Sequence, residues 1–303
     1  MESANNNING VINLYKQPGI TSQTAVNKVK RLLNIKKCGH AGTLDPMAEG
    51  ILLILLGSAT KCSELLMSEI KEYEVSIKLG ITTDTYDIEG TVIKEVPREQ
   101  INVTSKLFEN TLKSFLGESY QLPPMHSAVQ VNGVRLYKLA RKGLTIEREP
   151  RKINIYDITP LEFNEKELSA RFSVTCSKGT YIRSLVSDIG EKLGCGGVMT
   201  RLIRNRSGEF NLKSSVDFEN LQQSPQKYII PTEKCFPHLN KYYIQSFYLK
   251  LLRDGQRVLQ NKLHLNLPEN ELCLVYSEDK SFAGIGRGVM LKDGLGFELF
   301  KKL

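Results

Sequence analysis

The sequence lacks the features of a secreted, membrane-spanning or disulfide-stabilised protein. Its first residues are polar and do not form the basic-then-apolar pattern of a signal peptide. Its apolar runs are shorter than the roughly 20 residues that span a bilayer. The six cysteines are scattered without a Cys-x-x-Cys spacing, which argues against a disulfide framework or a zinc site. We therefore expect a cytoplasmic protein with free thiols and no membrane association.

Motifs for a metal ion or a nucleotide cofactor are also missing. The histidines are too far apart along the chain for a metal-ligand spacing, at positions 40, 126, 238 and 264. The sequence has no Walker loop, internal repeat or low-complexity tract. The glycines of segment 284–288 lack the strand-to-helix context of a dinucleotide loop and indicate bulges or turns. We expect the protein to use neither a metal nor a cofactor.

The composition is that of a folded protein with an excess of positive charge. Of its 303 residues, 41% are hydrophobic and 24% are charged, which allows a sizeable core and either two domains or one large domain with an appendage. The formal net charge of +8 favours a polyanionic partner, most simply a nucleic acid. Charge that serves only solubility is the alternative.

Apolar periodicity predicts an α+β fold over residues 8–235. Residues 71–79 alternate between polar and apolar and predict a strand with Tyr73 on its apolar face. The apolar run at 51–56 is typical of a buried strand. Helices are predicted from Thr21 or Ser22, over about 59–67, from Thr104 or Ser105 to Gly117, and from Ile182 to Gly194. The third of these helices is expected to bury Leu107, Phe108, Leu112 and Phe115. Irregular interspersion of helices and strands favours α+β over a doubly wound sheet.

Residues 122–152 differ in character from the rest of this region. They open with two prolines, contain an Asn132-Gly133 hairpin signal and carry several cations, including Arg141 and Lys142, against two acids. This basic insertion is a candidate RNA-binding arm, and a solvated helix and loop is the alternative.

A second domain is predicted at the C-terminal end. A boundary near 223–240 is indicated by three prolines in a polar stretch. Residues 240–303 contain short apolar runs separated by turn residues, the first of them at 263–267, and predict a small β-rich domain.

A short loop presents the first reactive groups. Residues 39–46 read GHAGTLDP, where the glycines around His40 allow tight bends and the proline biases Asp45 away from helix. The segment therefore presents one imidazole and one carboxylate next to a buried strand. A plain turn in which Asp45 bonds its own backbone is the alternative.

Three further residues could complete a site with Asp45. Arg183 follows Tyr181 by two positions at a strand-to-helix junction, and an arginine close to a carboxylate favours the charged form. Tyr73 offers a flat apolar surface with a polar tip. A carboxylate, an arginine and aromatic rings suit chemistry on an unstacked nucleobase. Sequence spacing alone does not bring these residues together, and each could instead serve the core or the surface.

Six segments resemble, in the same order, the motifs of the TruB-type pseudouridine synthases. They read GHAGTLDP at 39–46, GSATK at 57–61, KEYE at 71–74, TDTYDIEG at 83–90, SKGTYIR at 177–183 and LIRNRSG at 202–208. The resemblance covers essentially the whole chain. It implies a catalytic core over 8–235, built on a mixed, largely antiparallel sheet with flanking helices and a thumb-like RNA-binding insertion at 122–152. It also implies a C-terminal PUA-like RNA-binding domain over 240–303.

The resemblance also implies roles for individual residues. Asp45 would attack the target uridine, Arg183 would be its partner, and Tyr73 would stack on the uracil and take part in proton removal. His40 would enter the RNA and help the base leave the stack. The other residues expected to bind the uracil or the RNA are Tyr181, Leu202, Lys16, Arg141 and Lys142.

The implied activity is the isomerisation of uridine 55 in the T-arm of tRNA to pseudouridine. The C1′–N1 bond would break, the uracil would rotate and C5 would join C1′, without redox change or net hydrolysis. The expected partner is the T-arm stem-loop, and we expect a monomer that needs no protein partner. A guide-RNA-dependent, dyskerin-like enzyme and a non-catalytic tRNA-binding chaperone are the alternatives.

Two positions depart from the family pattern. Residues 16–19 read KQPG where the family has Lys-Pro-x-Gly, which leaves the role of Lys16 open. Ile203 stands where the family has an arginine, and Arg201 and Arg206 could offset the lost charge.

Overall fold

The structure is a computed structural model, and it describes residues 8–67, 69–127, 130–131, 133–136, 139, 143–144 and 146–303. Arg141 and Lys142, from which RNA contacts are expected, lie outside the described residues. No helix in the described ranges combines the length and the apolar character needed to cross a membrane.

Helices and strands follow one another irregularly along the described chain. The strands are β1 (Gly10–Lys16), β2 (Cys38–Ala41), β3 (Glu49–Leu56), β4 (Lys71–Leu79), β5 (Ile81–Thr83), β6 (Val92–Glu95), β7 (Gly117–Gln121), β8 (Gln130–Val131), β9 (Val134–Arg135), β10 (Arg151–Asn164), β11 (Ser169–Cys176), β12 (Gly197–Ser207), β13 (Phe210–Asn211), β14 (Lys241–Ile244), β15 (Val258–Leu259), β16 (Leu272–Ser277), β17 (Phe282–Leu291) and β18 (Gly294–Lys302). The α-helices are α1 (Ser22–Leu32), α2 (Ser63–Met67), α3 (Ser105–Lys113), α4 (Ile182–Lys192), α5 (Phe218–Gln223), α6 (Ser246–Arg253) and α7 (Gln260–Leu263). Short 3-10 helices lie at Gly57–Cys62, Arg98–Gln100, Leu212–Ser214, Pro225–Tyr228 and Thr232–Cys235.

The larger sheet is mixed and largely antiparallel. In the part of the chain that the structure describes, it contains nine strands, seven of them in the order β1-β3-β12-β4-β11-β10-β7. Strand β2 pairs with β3, and β13 pairs with β12. Strand β12 runs parallel to β3, and the other pairings between the described strands of this sheet are antiparallel. The predicted α+β fold class and sheet type are confirmed.

Strand β3 shows why residues 51–56 are uniformly apolar. Strand β1 pairs along one of its edges, while β2 and one end of β12 share the other. Leu52 and Ile54 face the apolar cluster beneath α1, whereas Leu53 and Leu55 face a cluster shared with the C-terminal sheet. The strand is therefore covered on both faces, which favours an unbroken apolar run over alternation.

Strand β4 and helix α1 form as predicted. Tyr73 and the alternate residues after it are buried, while their neighbours are half-buried. Helix α1 begins after Thr21, whose hydroxyl accepts a hydrogen bond from the backbone N of Thr24 at 3.0 Å. Its buried face includes Val26 and Val29, in agreement with the apolar spacing.

Three details of the helical predictions are wrong. Leu107 is 43% exposed, because it lies about 100° around α3 from the buried Phe108, on the solvent side. Helix α3 ends at Lys113, and Gly117, with a φ of +92°, opens strand β7 instead of closing the helix. Segment 59–67 forms the end of a 3-10 helix and then the short α2, not one continuous helix.

The region after residue 240 is β-rich, as predicted. Among the described residues it forms a five-stranded sheet in the order β14-β16-β17-β18-β15. Segment 284–288 lies inside β17, where the register slips between Ile285 and Gly286, which confirms a bulge. The apolar run at 263–267 is not a strand, because α7 ends at Leu263 and His264 adopts a left-handed φ of 53°.

Candidate active site

The predicted residues converge on the face of the larger sheet that carries α1, α3 and α4. The loop after β2 supplies Asp45, and the first turn of α4 supplies Arg183. Strands β4 and β12 supply Tyr73 and Leu202, which belong to the apolar cluster on this face. Because these elements are distant along the chain, the pocket exists only in the folded sheet.

Asp45 and Arg183 form a bidentate ion pair. Arg183 Nε lies 2.8 Å from Asp45 Oδ2, and Arg183 Nη2 donates to Asp45 Oδ1 at 3.0 Å. The Arg183 side chain is 8% exposed and the Asp45 side chain 32% exposed, so the carboxylate is the partner that a ligand can reach. Two parallel hydrogen bonds fix the plane of the carboxylate as well as its position. The structure thus joins two residues whose pairing the sequence spacing left open.

A second carboxylate, Asp87, lies beside the same guanidinium. Asp87 Oδ2 is 3.6 Å from Arg183 Nη1, and its side chain is 8% exposed. Asp87 Oδ1 accepts hydrogen bonds from Thr85 Oγ1 at 2.6 Å and from the backbone N of Glu89 at 3.2 Å. A cation in the first turn of α4 is disfavoured by the helix dipole, and the two carboxylates offset this effect and the cost of burial. Asp87 was not predicted as a site residue, although it stands in the TDTYDIEG segment.

Lys16 anchors the Asp45 loop from inside the protein. It is 1% exposed, and its Nζ donates to the carbonyl oxygens of Gln17 at 2.9 Å, Ile20 at 2.9 Å and Pro46 at 3.2 Å. Burial lowers the pKa of Lys16 to about 8, and the charge of Asp45 opposes the shift. Its three N–H donors are engaged, so the structure leaves no exposed donor for the RNA contact expected of Lys16.

Arg204 holds the other end of the same loop. It is 1% exposed, and it donates from Nε to the carbonyl of Ile51 at 2.7 Å and from Nη2 to the carbonyl of Gly42 at 3.0 Å. A Cβ at Gly42, whose φ is +82°, would lie 3.4 Å from Arg204 Nη1, so the glycine leaves room for the guanidinium. Sequence reasoning missed this residue. Alternation along β12 is the signal that could have found it, because Arg204 follows Leu202 by two positions.

Tyr73 lies opposite Arg204 in the register of β4 and β12 and is 9% exposed. Burial raises the pKa of the Tyr73 hydroxyl, and the charge of Arg204 offsets part of the shift. The hydroxyl is therefore protonated at neutral pH. With the buried Leu202 on the neighbouring strand, the ring forms an apolar wall suited to a flat ligand.

Tyr181 precedes α4, and its backbone is held by Gln121. Gln121 Oε1 accepts from the backbone N of Tyr181 at 2.7 Å, and Gln121 Nε2 donates to the Tyr181 carbonyl at 3.1 Å. Gln121 is buried at the end of β7, directly before the insertion. Burial raises the pKa of the Tyr181 hydroxyl. Arg183 Nη2 also donates to the His126 carbonyl at 2.8 Å, so the start of the insertion contacts the ion pair.

His40 lies on β2, outside the ion pair. Its Nδ1 is buried and has no hydrogen-bond partner within the described residues. Burial, and after it the charge of Arg204, lowers the pKa of His40, so the ring is neutral at neutral pH. The ring as a whole is half-buried, so His40 presents part of its edge, but not Nδ1, to the surface.

The described part of the insertion contains the predicted hairpin. Val131 pairs with Val134 across Gly133, whose φ is +77°, while Asn132 lies outside the described residues. A cavity of about 310 Å³ separates the insertion from the segment that carries Asp87. It is lined by Asp84, Tyr86, Met125, His126, Gly143, Leu144 and Arg148.

The arrangement is a carboxylate held by a buried arginine next to a tyrosine ring and an apolar wall. Within the ranges that the structure describes, no three His, Cys, Asp or Glu side chains come together as metal ligands. A fixed carboxylate beside a stacking surface suits chemistry on a planar base taken out of its stack. The fold and the site are thus those of an enzyme that modifies a nucleobase.

Comparison with known proteins identifies the family. Residues 30–182 match the TruB family pseudouridylate synthase (N terminal domain), and residues 183–236 match the tRNA pseudouridylate synthase B C-terminal domain. The chain belongs to the TruB family of pseudouridylate synthases. The boundary between the two matched regions falls in the first turn of α4, so both regions contribute to the site.

Curated relatives match the chain over nearly its whole length. The tRNA pseudouridine synthase B of Clostridium tetani (strain Massachusetts / E88) is 45% identical and aligns over 98% of this chain and 100% of its own. That of Clostridium perfringens (strain 13 / Type A) is 43% identical, over 98% and 99%. Among solved structures, an H/ACA RNP bound to a substrate RNA containing 2′-deoxyuridine has a TM-score of 0.70 at 25% identity, over 97% of this chain and 84% of that one. A Cbf5-Nop10-Gar1 complex has a TM-score of 0.70 at 27% identity, over 97% and 87%.

Proposed function

We propose that this protein isomerises uridine 55 in the T-arm of tRNA to pseudouridine. The observation that carries the proposal is the bidentate pair of Asp45 and Arg183, in which the carboxylate is accessible and the arginine is buried. The names of the relatives, which are 43–45% identical, support tRNA as the substrate. The T-arm position follows from the six motifs that resemble the family.

Binding of the target base would use the apolar wall of the pocket. The uracil leaves the RNA stack and lies on the Tyr73 ring against Leu202, with Tyr181 closing the pocket. His40, whose ring is half-buried on β2, enters the RNA and helps the base leave the stack. Stacking on an aromatic ring offsets part of the cost of unstacking the nucleotide.

The reaction would begin with attack by the Asp45 carboxylate on the uridine. The C1′–N1 bond breaks and the uracil rotates within the pocket. C5 then bonds to C1′, and the bond between Asp45 and the uridine breaks, so that the carboxylate is regenerated. C5 then loses its proton and N1 gains one, so atoms and charge balance without an oxidant or a water molecule. Arg183 keeps the carboxylate in position, and the insertion, once closed over the base, would keep water from the cleaved intermediate.

Two parts of the chain would bind the RNA outside the pocket. The insertion at 122–152 would close over the T-arm, in keeping with the contact between His126 and Arg183. Residues 240–303 would form a PUA-like domain beside a catalytic domain over 8–235. We further propose a monomer that acts in the cytoplasm without a protein partner.

A guide-RNA-dependent reaction is the second candidate, because the H/ACA RNP structure is similar over 97% of the chain at a TM-score of 0.70. The higher identity to proteins named for tRNA favours the stand-alone reaction. The purified protein is tested alone on tRNA transcripts that carry tritium at C5 of uridine. We expect tritium release from the normal transcript and none from a transcript with cytidine at position 55. Release only after a guide RNA is added would contradict the stand-alone reaction, and release from both transcripts would contradict the site.

A further inference from the structure

Positive charge is concentrated near the N-terminal end in a way that the pocket does not explain. Residues 3–44 contain five lysines and one arginine but no aspartate or glutamate. Lys16 is buried under the Asp45 loop. The other five cations lie on α1 or in the turn between α1 and β2.

Four of these cations follow one another closely at the end of α1 and in the turn after it, and this group is here named the α1 cationic face. Its members are Lys30, Arg31, Lys36 and Lys37. All four are exposed, and none forms an ion pair with a carboxylate of the described residues. Lys28 is not counted in this group, because its Nζ is already engaged over the ring of Phe218, 5.3 Å from the centroid.

The backbone beneath the α1 cationic face is fixed. The helix is followed by Asn34 in the left-handed conformation, with a φ of 47°. The backbone N of Ile35 donates to the Lys30 carbonyl at 3.2 Å, and the Ile35 side chain is buried. The backbone N of Gly57 donates to the Lys37 carbonyl at 2.9 Å. Because the backbone is already fixed, a ligand would have to order only the side chains, which lowers the total entropy lost on binding.

The α1 cationic face borders the strand that carries His40. Burial raises the pKa of the Cys38 thiol to about 11, and the nearby charge of Lys30 opposes this shift. Cys38 and His40 are alternate residues of β2 and therefore share one face of the strand. Cys38 packs against the apolar cluster that also contains Tyr73 and Leu202, so Lys30 lies on the same side of the sheet as the pocket.

Helix stabilisation accounts for only part of this charge. Lys30 and Arg31 lie in the last turn of α1, where the helix dipole favours cations, but Lys36 and Lys37 lie beyond the helix. A small anion needs donors that converge on one point. Exposed cations spread over a helix end and a turn instead match a ligand with several spaced negative charges, such as a phosphodiester backbone.

We propose that the α1 cationic face binds phosphates of the RNA strand that leads to the target base at His40. The proposal rests on the function proposed above. The insertion at 122–152 starts from β7, at the opposite end of the strand order from β1 and β3. The face and the insertion therefore hold the RNA on two sides of the pocket.

The test measures the Kd of a T-arm stem-loop RNA at several salt concentrations. All variants carry Asp45→Asn, so that the RNA is not turned over. Replacing the four cations together (Lys30→Gln, Arg31→Gln, Lys36→Gln and Lys37→Gln) should raise Kd at least about tenfold at low salt. It should also reduce the slope of log K against log salt by about 3, because each lost phosphate contact contributes roughly 0.7 to 0.9.

Two matched controls make the result specific. Lys28→Gln removes one charge from the same helix and should leave Kd and slope unchanged, whereas Lys30→Gln should lower the slope by about 1. A charge-retaining variant (Lys30→Arg, Arg31→Lys, Lys36→Arg and Lys37→Arg) should bind as the parent does, which shows that the charges are needed and not the particular side chains. An unchanged urea midpoint of the four-glutamine variant excludes loss of folding as the cause. An unchanged slope in the four-glutamine variant, or equal effects of Lys28→Gln and Lys30→Gln, would overturn the inference. Pseudouridine formation by the unsubstituted protein on the same RNA tests the proposed function separately.

Discussion

Arg183 makes contacts on three sides, and its planar fork is suited to them. Besides the two oxygens of Asp45, it donates to the carbonyls of Thr85 at 3.2 Å and His126 at 2.8 Å. A lysine has the same charge but concentrates it at one point. The guanidinium therefore sets the orientation of the Asp45 carboxylate as well as its charge environment.

Replacing this fork should affect the rate more than RNA binding. Arg183→Lys is expected to lower the single-turnover rate by about 100-fold or more, because a displacement of the carboxylate of about 1 Å costs that much. Rapid-quench measurement at saturating RNA gives the rate. Arg171→Lys is the matched control, since Arg171 also pairs with a carboxylate, Glu74, but is 47% exposed. A near-normal rate of Arg183→Lys would contradict the role assigned to the planar guanidinium in orienting Asp45.

The sequence predicted the residues of the ion pair but not their neighbours. Asp45 and Arg183 are 138 positions apart, and the resemblance to a family, not local periodicity, joined them. Buried residues of the site such as Asp87 and Arg204 were not predicted, because charged residues are ordinarily expected at the surface. Their burial depends on carbonyls and side chains that come from other elements.

At the scale of elements, local sequence patterns predicted those strands and helices whose buried residues follow from the periodicity of their own sequence. Strand β3 is apolar throughout, and β4 alternates, so both could be predicted. Helix α3 buries Phe108 and Leu112 as predicted, whereas Leu107 is exposed and Phe115 lies beyond the end of the helix. Contacts between elements, such as the pair of Gln121 and Tyr181, which are 60 positions apart, leave no periodic signal.

Gln121 links the end of β7 to the start of α4. In the variant Gln121→Glu, the rate of pseudouridine formation should therefore increase at low pH. An ionised glutamate can still accept from the Tyr181 amide, but it cannot donate to the Tyr181 carbonyl. Protonation restores that donor, so the rate of Gln121→Glu, relative to the parent protein, should rise as the pH falls toward 5. Gln121→Leu loses both hydrogen bonds and should show no such rise. Identical pH profiles for the two variants would show that Gln121 acts only by packing.

At the scale of the whole molecule, buried thiols should make the fold sensitive to alkali. Burial raises the pKa of several cysteines, to about 11 at Cys62 and Cys176 and about 12 at Cys235 and Cys273. In the unfolded chain these thiols lose their protons near pH 9, so between pH 9 and 12 the unfolded state binds fewer protons. The free energy of unfolding therefore falls as the pH rises through this range.

Two buried lysines have the opposite effect on the free energy of unfolding, but the buried cysteines are more numerous. The pKa of Lys16 and of Lys71 is lowered to about 8, so these groups raise the free energy of unfolding between pH 8 and 10.5. Urea titrations from pH 7 to 10 should show a net loss of stability above pH 9, and Cys273→Ala should make the loss less steep. A free energy of unfolding that rose steadily up to pH 10 would contradict the predicted effect of the buried thiols.

The two sheets also share an apolar cluster, which packs the C-terminal region against β3. Leu53 and Leu55 of β3 pack in the cluster that contains Leu274 and Ile285. The opposite face of β3 borders the pocket. This shared cluster could not be predicted from the sequence, because Leu53 and Leu55 are over 200 positions away from Leu274 and Ile285.

The most direct test of the account is the effect of Asp45→Asn on a T-arm RNA with tritium at C5 of the target uridine. The substitution keeps the shape of the side chain but removes the charge that Arg183 holds. We predict that this variant binds the RNA with nearly the Kd of the unsubstituted protein and releases no tritium. Appreciable tritium release by Asp45→Asn would contradict the assignment of Asp45 as the catalytic carboxylate.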